Sequence, residues 1–190
     1  MVAIPEKMKI LDVGGGDGTR CRSHYPDADI TVLDIIHGYD IMKEGLPEGD
    51  WNIIFANHII EHVTDPDYFL EECRRVMKSL TILEIGTPNL AAWFNRGLFL
   101  FGYVPHSVEL SKRFNVGKAF DWNKEALGSH RFIYTVPALL QLLRHYMLKP
   151  ISVVGEASTF PTHPLISAMD KILTKWSPNL ASAMRIRCVF

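Results

Sequence analysis

The chain has 190 residues, 47% of them hydrophobic and 22% charged, which is ordinary for a globular protein and allows one domain, residues 1–190, with a sizeable core. A net charge of −1 gives no global field to draw in nucleic acid, so no such partner is expected. Three scattered cysteines, Cys21, Cys73 and Cys188, have no Cys-x-x-Cys spacing and no adjacent histidine set; they read as reduced, mostly buried thiols, and no metal site is expected. The opening residues Met1 to Lys9 lack an apolar stretch of signal-peptide length, and no segment reaches the length of a membrane span, so the expected location is the cytoplasm.

Short apolar runs alternate with helical patterns, which predicts a largely parallel sheet covered on both faces. The first strand, Lys9 to Val13, runs into Gly14, Gly15, Gly16, Asp17 and Gly18 ahead of a short helical stretch. Glycine there takes positive φ without penalty and lets the backbone approach a ligand that a Cβ would push away, as where a strand turns beneath a bound nucleoside. A second run, Ile30 to Leu33, ends on Asp34, twenty residues after Gly14, where a carboxylate can accept hydrogen bonds from a ribose diol. A dinucleotide fingerprint needs Gly-x-Gly-x-x-Gly, but position 19 is Thr19 and the third glycine falls at Gly18, so the loop suits a ligand without a pyrophosphate. Only five residues separate Asp34 from Asp40, too few for a crossover helix.

A strand over Trp51 to Ala56 precedes a strongly marked helix, in which Asp65 is the cap, Pro66 the first position, and Phe69, Leu70, Cys73, Val76 and Met77 the buried face. Thr81 to Ile85 is the next strand. The helix over Thr135 to Met147 repeats the device, with Thr135 as cap, Pro137 in the first turn, and Leu139, Leu140, Leu142 and Leu143 facing inward. Ile151 to Gly155 and Arg185 to Phe190 complete the strands. The stretch Asn89 to His130, rich in Trp93, Phe94, Leu98, Phe99, Leu100, Phe101 and Tyr103, is too long for a plain connection; it reads as an apolar lid over the substrate, a packed cap or a dimer surface.

In this order the chain resembles the class I S-adenosylmethionine-dependent methyltransferases, in particular small ones acting on metabolites, lipids and glycans, over residues 8–156. Ile10 to Thr19 looks like that family's first motif, and Leu33-Asp34-Ile35 like its ribose-binding acid. Asn57-His58-Ile59-Ile60-Glu61-His62-Val63 with Asp65-Pro66 is similar to its Glu-His-Val segment. His130-Arg131-Phe132-Ile133-Tyr134-Thr135 resembles the end of an insert found in glycan- and lipid-linked relatives. Trp51-Asn52 stands where relatives have an aromatic-Asp pair, and Lys78-Ser79-Leu80 where they often have Pro-Gly-Gly; both departures bear on strand boundaries.

The resemblance implies a Rossmann-like, doubly wound, seven-stranded α/β sheet, mostly parallel, with trimmed helices, its last strand antiparallel at one side and the insert after the fifth strand. It implies S-adenosylmethionine as cofactor, S-adenosylhomocysteine as product, and a small-molecule, lipid-linked or glycan methyl acceptor; homodimerisation stays open. The implied cofactor residues are Asp12, Gly14, Gly15, Gly16, Gly18, Asp34, Ile35, Asp40, Ile41, Asn57 and His58. Asp12 is read either as a contact for the methionine part or as a brace for the glycine loop, and Asp40 either as an adenine neighbour or as a solvated loop acid. Where a general base is needed, His130, His58 and His62 are the candidates in that order, with a packed structural role as the alternative for His62. Two other functions remain: a catalytically silent binding module on this fold, and a nicotinamide-dependent oxidoreductase, which the glycine spacing disfavours.

Overall fold

The computed structural model describes residues 7–119, 130–157 and 164–190. Six strands form one sheet in the order β2-β1-β3-β4-β6-β5: β1 Lys9–Val13, β2 Asp29–Leu33, β3 Ile53–Asn57, β4 Ile82–Pro88, β5 Lys149–Glu156 and β6 Ala183–Val189. The helices are α1 Thr19–His24, α2 Ile41–Glu44, α3 Pro66–Val76, α4 Trp93–Leu100, α5 Val136–His145 and α6 Pro164–Trp176.

The described residues hold six strands where seven were expected, because residues 35–52, between β2 and β3, make only a 3-10 turn at Ile35–His37 and the four-residue α2. The expected absence of a crossover helix after Asp34 is borne out. β6 is antiparallel, as expected, but it enters between β4 and β5 and leaves β5 at the edge. Burial explains the order: every second residue of β6 is buried, including Met184, Ile186 and Cys188, whereas β5 is nowhere fully buried and tolerates an edge.

The helices that pack the sheet follow their local signals. Asp65 Oδ1 accepts from the N–H groups of Asp67 at 3.1 Å and Tyr68 at 3.0 Å, starting α3 with Pro66 in its first turn. Phe69, Leu70, Cys73 and Val76 of α3, with Leu139 and Leu143 of α5, cover Leu11, Val13, Ile54, Ala56, Leu83 and Ile85. The opposite face has a smaller apolar cluster, Ile10, Ile53 and Phe55 under Cys21 of α1. Beyond it the face turns polar. Buried Glu84 of β4 accepts from Tyr25 Oη at 2.9 Å, Arg187 Nε at 2.6 Å and Arg185 Nη1 at 3.3 Å. All three cysteines are buried and unpaired, and burial lifts the Cys21 thiol to about 12. No helix among the described residues is long and apolar enough to cross a membrane.

Candidate active site

The carboxyl ends of β1, β2 and β3 meet around the glycine loop. Gly14, Gly16 and Gly18 have φ of 69°, 57° and 76°, and Gly14 N–H donates to Leu33 O at 2.8 Å, tying the loop to the end of β2. The glycines differ in what surrounds them. A Cβ on Gly14 would strike the Ile59 side chain, and one on Gly15 would lie within 2.4 Å of the Asp12 carboxylate, but one on Gly16 would meet nothing within 4 Å. The backbone at Gly16 therefore faces open space.

Asp34 links this loop to the next. Its Oδ2 accepts from Gly16 N at 2.8 Å and its Oδ1 from Ile36 N at 2.9 Å, and each oxygen keeps a lone pair for a further donor. His37 Nε2 lies 2.9 Å from Gly16 O, closing the other side. Ile35 is 71% exposed beside this junction. Asp12, 1% exposed, has no hydrogen-bond partner on either carboxylate oxygen, so it does not brace the glycine loop. Burial pushes its carboxyl up to about 6; Arg22 opposes the rise, while Asp34 and Asp17 add to it. Asp40 caps α2, accepting from Met42 N at 3.1 Å and pairing with Lys43 at 3.1 Å, and Ile41 packs into the main core.

The turn after β3 carries the second group. Asn57 sits opposite Gly86 of β4, where a Cβ would lie 2.1 Å from its Oδ1, so the amide occupies room that Gly86 leaves. His58 adopts φ 58° and points Nδ1 at Glu61 Oε1, 2.9 Å away. Glu61 is fully buried and accepts from Thr87 Oγ1 at 2.9 Å; burial pulls its carboxyl up, but His58, by hydrogen bond and charge, and then Thr87 outweigh that and leave it below its usual value. The Glu61 carbonyl accepts from Arg131 N at 2.7 Å, which brings the His130 ring to within 4.9 Å of the His62 ring, centroid to centroid. Thus all three candidate bases gather at one edge of the sheet.

The sequence of a methyltransferase domain family matches residues 2–153. The chain belongs to that methyltransferase family. Solved structures agree on the fold. An S-adenosylmethionine-dependent methyltransferase from Mesorhizobium loti is 15% identical with a TM-score of 0.59, over 98% of this chain and 94% of that one. One from Archaeoglobus fulgidus is 14% identical with a TM-score of 0.56, over 97% and 86%. The Burkholderia thailandensis 1,6-didemethyltoxoflavin-N1-methyltransferase, solved with 1,6-didemethyltoxoflavin and S-adenosylhomocysteine, is 11% identical with a TM-score of 0.55, over 97% and 71%. No curated protein matches the chain significantly.

Several residues of this methyltransferase's site had no sequence signal. His37 is an ordinary turn residue until the chain folds back onto Gly16, and Thr87 needs the register of β4 to meet Glu61. Gly86 lies past the strand end expected at Ile85 and becomes a glycine inside a strand only because β4 runs on to Pro88. The insert has a fixed root: Trp93 Nε1 donates to buried Asp170 at 2.9 Å, and buried Asn95 donates to Asn89 O at 3.2 Å and accepts from His106 N at 3.0 Å. Its tip is bare, with Phe99 59% and Phe101 76% exposed. Residues 120–129 of the expected insert lie outside the described residues.

Proposed function

We propose that this methyltransferase moves the methyl group of S-adenosylmethionine to an oxygen or nitrogen of a small-molecule, lipid-linked or glycan acceptor held beneath the apolar tip of residues 98–104. The observation that carries this is the cradle itself: open space at Gly16, Asp34 at its rim, and a buried carboxylate, Asp12, with no partner in the protein. A cationic ligand suits an orphaned buried carboxylate, whose charge otherwise goes uncompensated.

S-adenosylmethionine supplies a methyl on a cationic sulfur, which becomes the neutral thioether of S-adenosylhomocysteine as the acceptor's lone pair takes the carbon. The chain's part is to align and to dehydrate. Asp34 and the Gly14–Gly18 backbone hold the donor's nucleoside end, and Asn57 and His58 stand at the strand edge where the acceptor arrives. Such alignment is worth about 7–11 kcal/mol of barrier. Where the acceptor is a hydroxyl, His58 is the proton acceptor, because Glu61 engages its Nδ1 and orients Nε2 outward as the basic atom. Changing His58 to Asn, which tolerates the same positive φ, should lower turnover at saturating cofactor by about 10²–10⁴-fold.

Calorimetric titration with S-adenosylhomocysteine and with NAD separates the readings. Tight binding of the first alone is expected. Tighter binding of NAD would favour an oxidoreductase, and binding of neither would favour a silent module.

A further inference from the structure

We infer that Glu61, His62 and His130 form a binding site for a divalent transition-metal ion of the zinc type, open towards the acceptor. One ligand atom from each residue lies within 4.8 Å of the other two. Tetrahedral zinc with ligands at about 2.0–2.1 Å separates them by about 3.3 Å, so closure needs side-chain movements of about 1 Å.

The ligands are prepared rather than merely near. His130 Nδ1 lies 3.0 Å from Ser107 O; a carbonyl only accepts, so Nδ1 carries the proton and Nε2 presents its lone pair. A backbone carbonyl behind a ligand histidine fixes its tautomer and raises its basicity in known metal sites. Glu109 Oε1, 3.9 Å from the same Nδ1, adds negative charge behind the ring. Glu61 is buried and aimed by His58 and Thr87, and each of its carboxylate oxygens keeps a lone pair beyond those bonds. The bonds from Arg131 N and Phe132 N to Glu61 O tie the segment that follows His130 to the turn bearing Glu61 and His62.

Two imidazoles and one carboxylate select a borderline ion over magnesium, which wants oxygen ligands in an octahedron. Three protein ligands leave positions open, the pattern of a reactive rather than a structural site. The turn that carries Glu61 and His62 also carries Ile59, whose side chain lies against Gly14, so the cluster sits on the turn that borders the glycine loop. A heteroatom of the acceptor would fill one of them. That use rests on the methyl-transfer reading; ion binding does not.

The test is calorimetry of zinc chloride into tag-free protein, with cobalt(II) absorption as a second readout and S-adenosylhomocysteine titrated into the same samples. The wild type should take up one zinc per chain and give visible cobalt bands of a four- or five-coordinate site. His62→Gln and His130→Gln should each weaken zinc by at least about tenfold, the loss seen even for outer partners of metal ligands. His145→Ala, on the remote end of α5, should leave zinc binding unchanged. If a glutamine variant does not melt cooperatively, the wild-type cobalt spectrum decides. No stoichiometric uptake by the wild type, a purely six-coordinate cobalt spectrum, or wild-type zinc affinity retained in folded His62→Gln and His130→Gln overturns the site. Zinc binding without S-adenosylhomocysteine binding would instead overturn only the cofactor reading.

Discussion

The two faces of the sheet are built to different ends. On the face covered by α3 and α5, β1, β3 and β4 present Leu11, Val13, Ile54, Ala56, Leu83 and Ile85, and a polar side chain, Thr87, follows only at the end of β4. One residue along each strand, the other face presents Asp12, Asn57 and Glu84 among Ile10, Ile53 and Phe55. Period-two alternation thus sorts the same strands into a sealed apolar surface and a surface carrying charge. The first face holds the fold together. The second gives up burial free energy to place an uncompensated carboxylate under the glycine loop.

Four variants sharpen that contrast. The largest effect belongs to the sealed face: Phe69→Ala, on the buried face of α3, should cost about 3–5 kcal/mol in urea denaturation, because the cavity cannot collapse between helix and sheet. Asp12→Asn should act in the opposite sense. A carboxyl raised from 3.8 to about 6 binds its proton more tightly in the folded chain, so its contribution is fully present below about pH 4 and lost as pH rises through 6. The wild type should lose about 2 kcal/mol relative to Asp12→Asn between pH 4 and pH 7, measured by denaturation at each pH. An identical pH dependence in the two proteins would show that Asp12 is not the strained group.

Glu84→Gln, at the paired end of the same face, should destabilise by about 2 kcal/mol, since it weakens charge-assisted bonds to Arg185 and Arg187, which are themselves partly solvated. Replacing Phe99 and Phe101 together with serine should change stability by less than about 0.5 kcal/mol, because neither packs against a core. The same double variant should lose transfer to an apolar-tailed acceptor while cofactor affinity holds. A loss of several kcal/mol would make residues 98–104 a structural cap.

The sealed face was readable in the sequence because its information is local. Asp65, Pro66 and the spacing from Phe69 to Met77 mark α3, and glycines at 14, 16 and 18 signal positive φ wherever they fold. The second face was readable only in part: Asp12 and Asn57 were named from the segments they sit in, but the side-chain pairings around the site were not, because those partners lie far apart in the chain. Glu84 meets Arg187 only through the antiparallel register of β4 with β6, and His62 meets His130 only when residues 131 and 132 bond to Glu61. Strand ends moved for the same reason: β4 runs on to Pro88 because Gly86, Thr87 and Pro88 find partners in Arg185, Met184 and Ala183. Ile41, named with Asp40 for their likeness to the family's acid and apolar pair, packs into the main core, where Leu46 also packs.

The central claim is that the open backbone at Gly16 and the carboxylate of Asp34 form the cofactor cradle. Calorimetry of S-adenosylhomocysteine against wild type and Asp34→Ala, with melting curves to confirm that both are folded, tests it most directly. Loss of the carboxylate removes charge-assisted hydrogen bonds worth about 1.5–3 kcal/mol, so affinity should fall about ten- to a hundredfold. Unchanged affinity in a folded Asp34→Ala protein would contradict the claim and leave the glycine loop as a turn held by Asp34 for structural reasons alone.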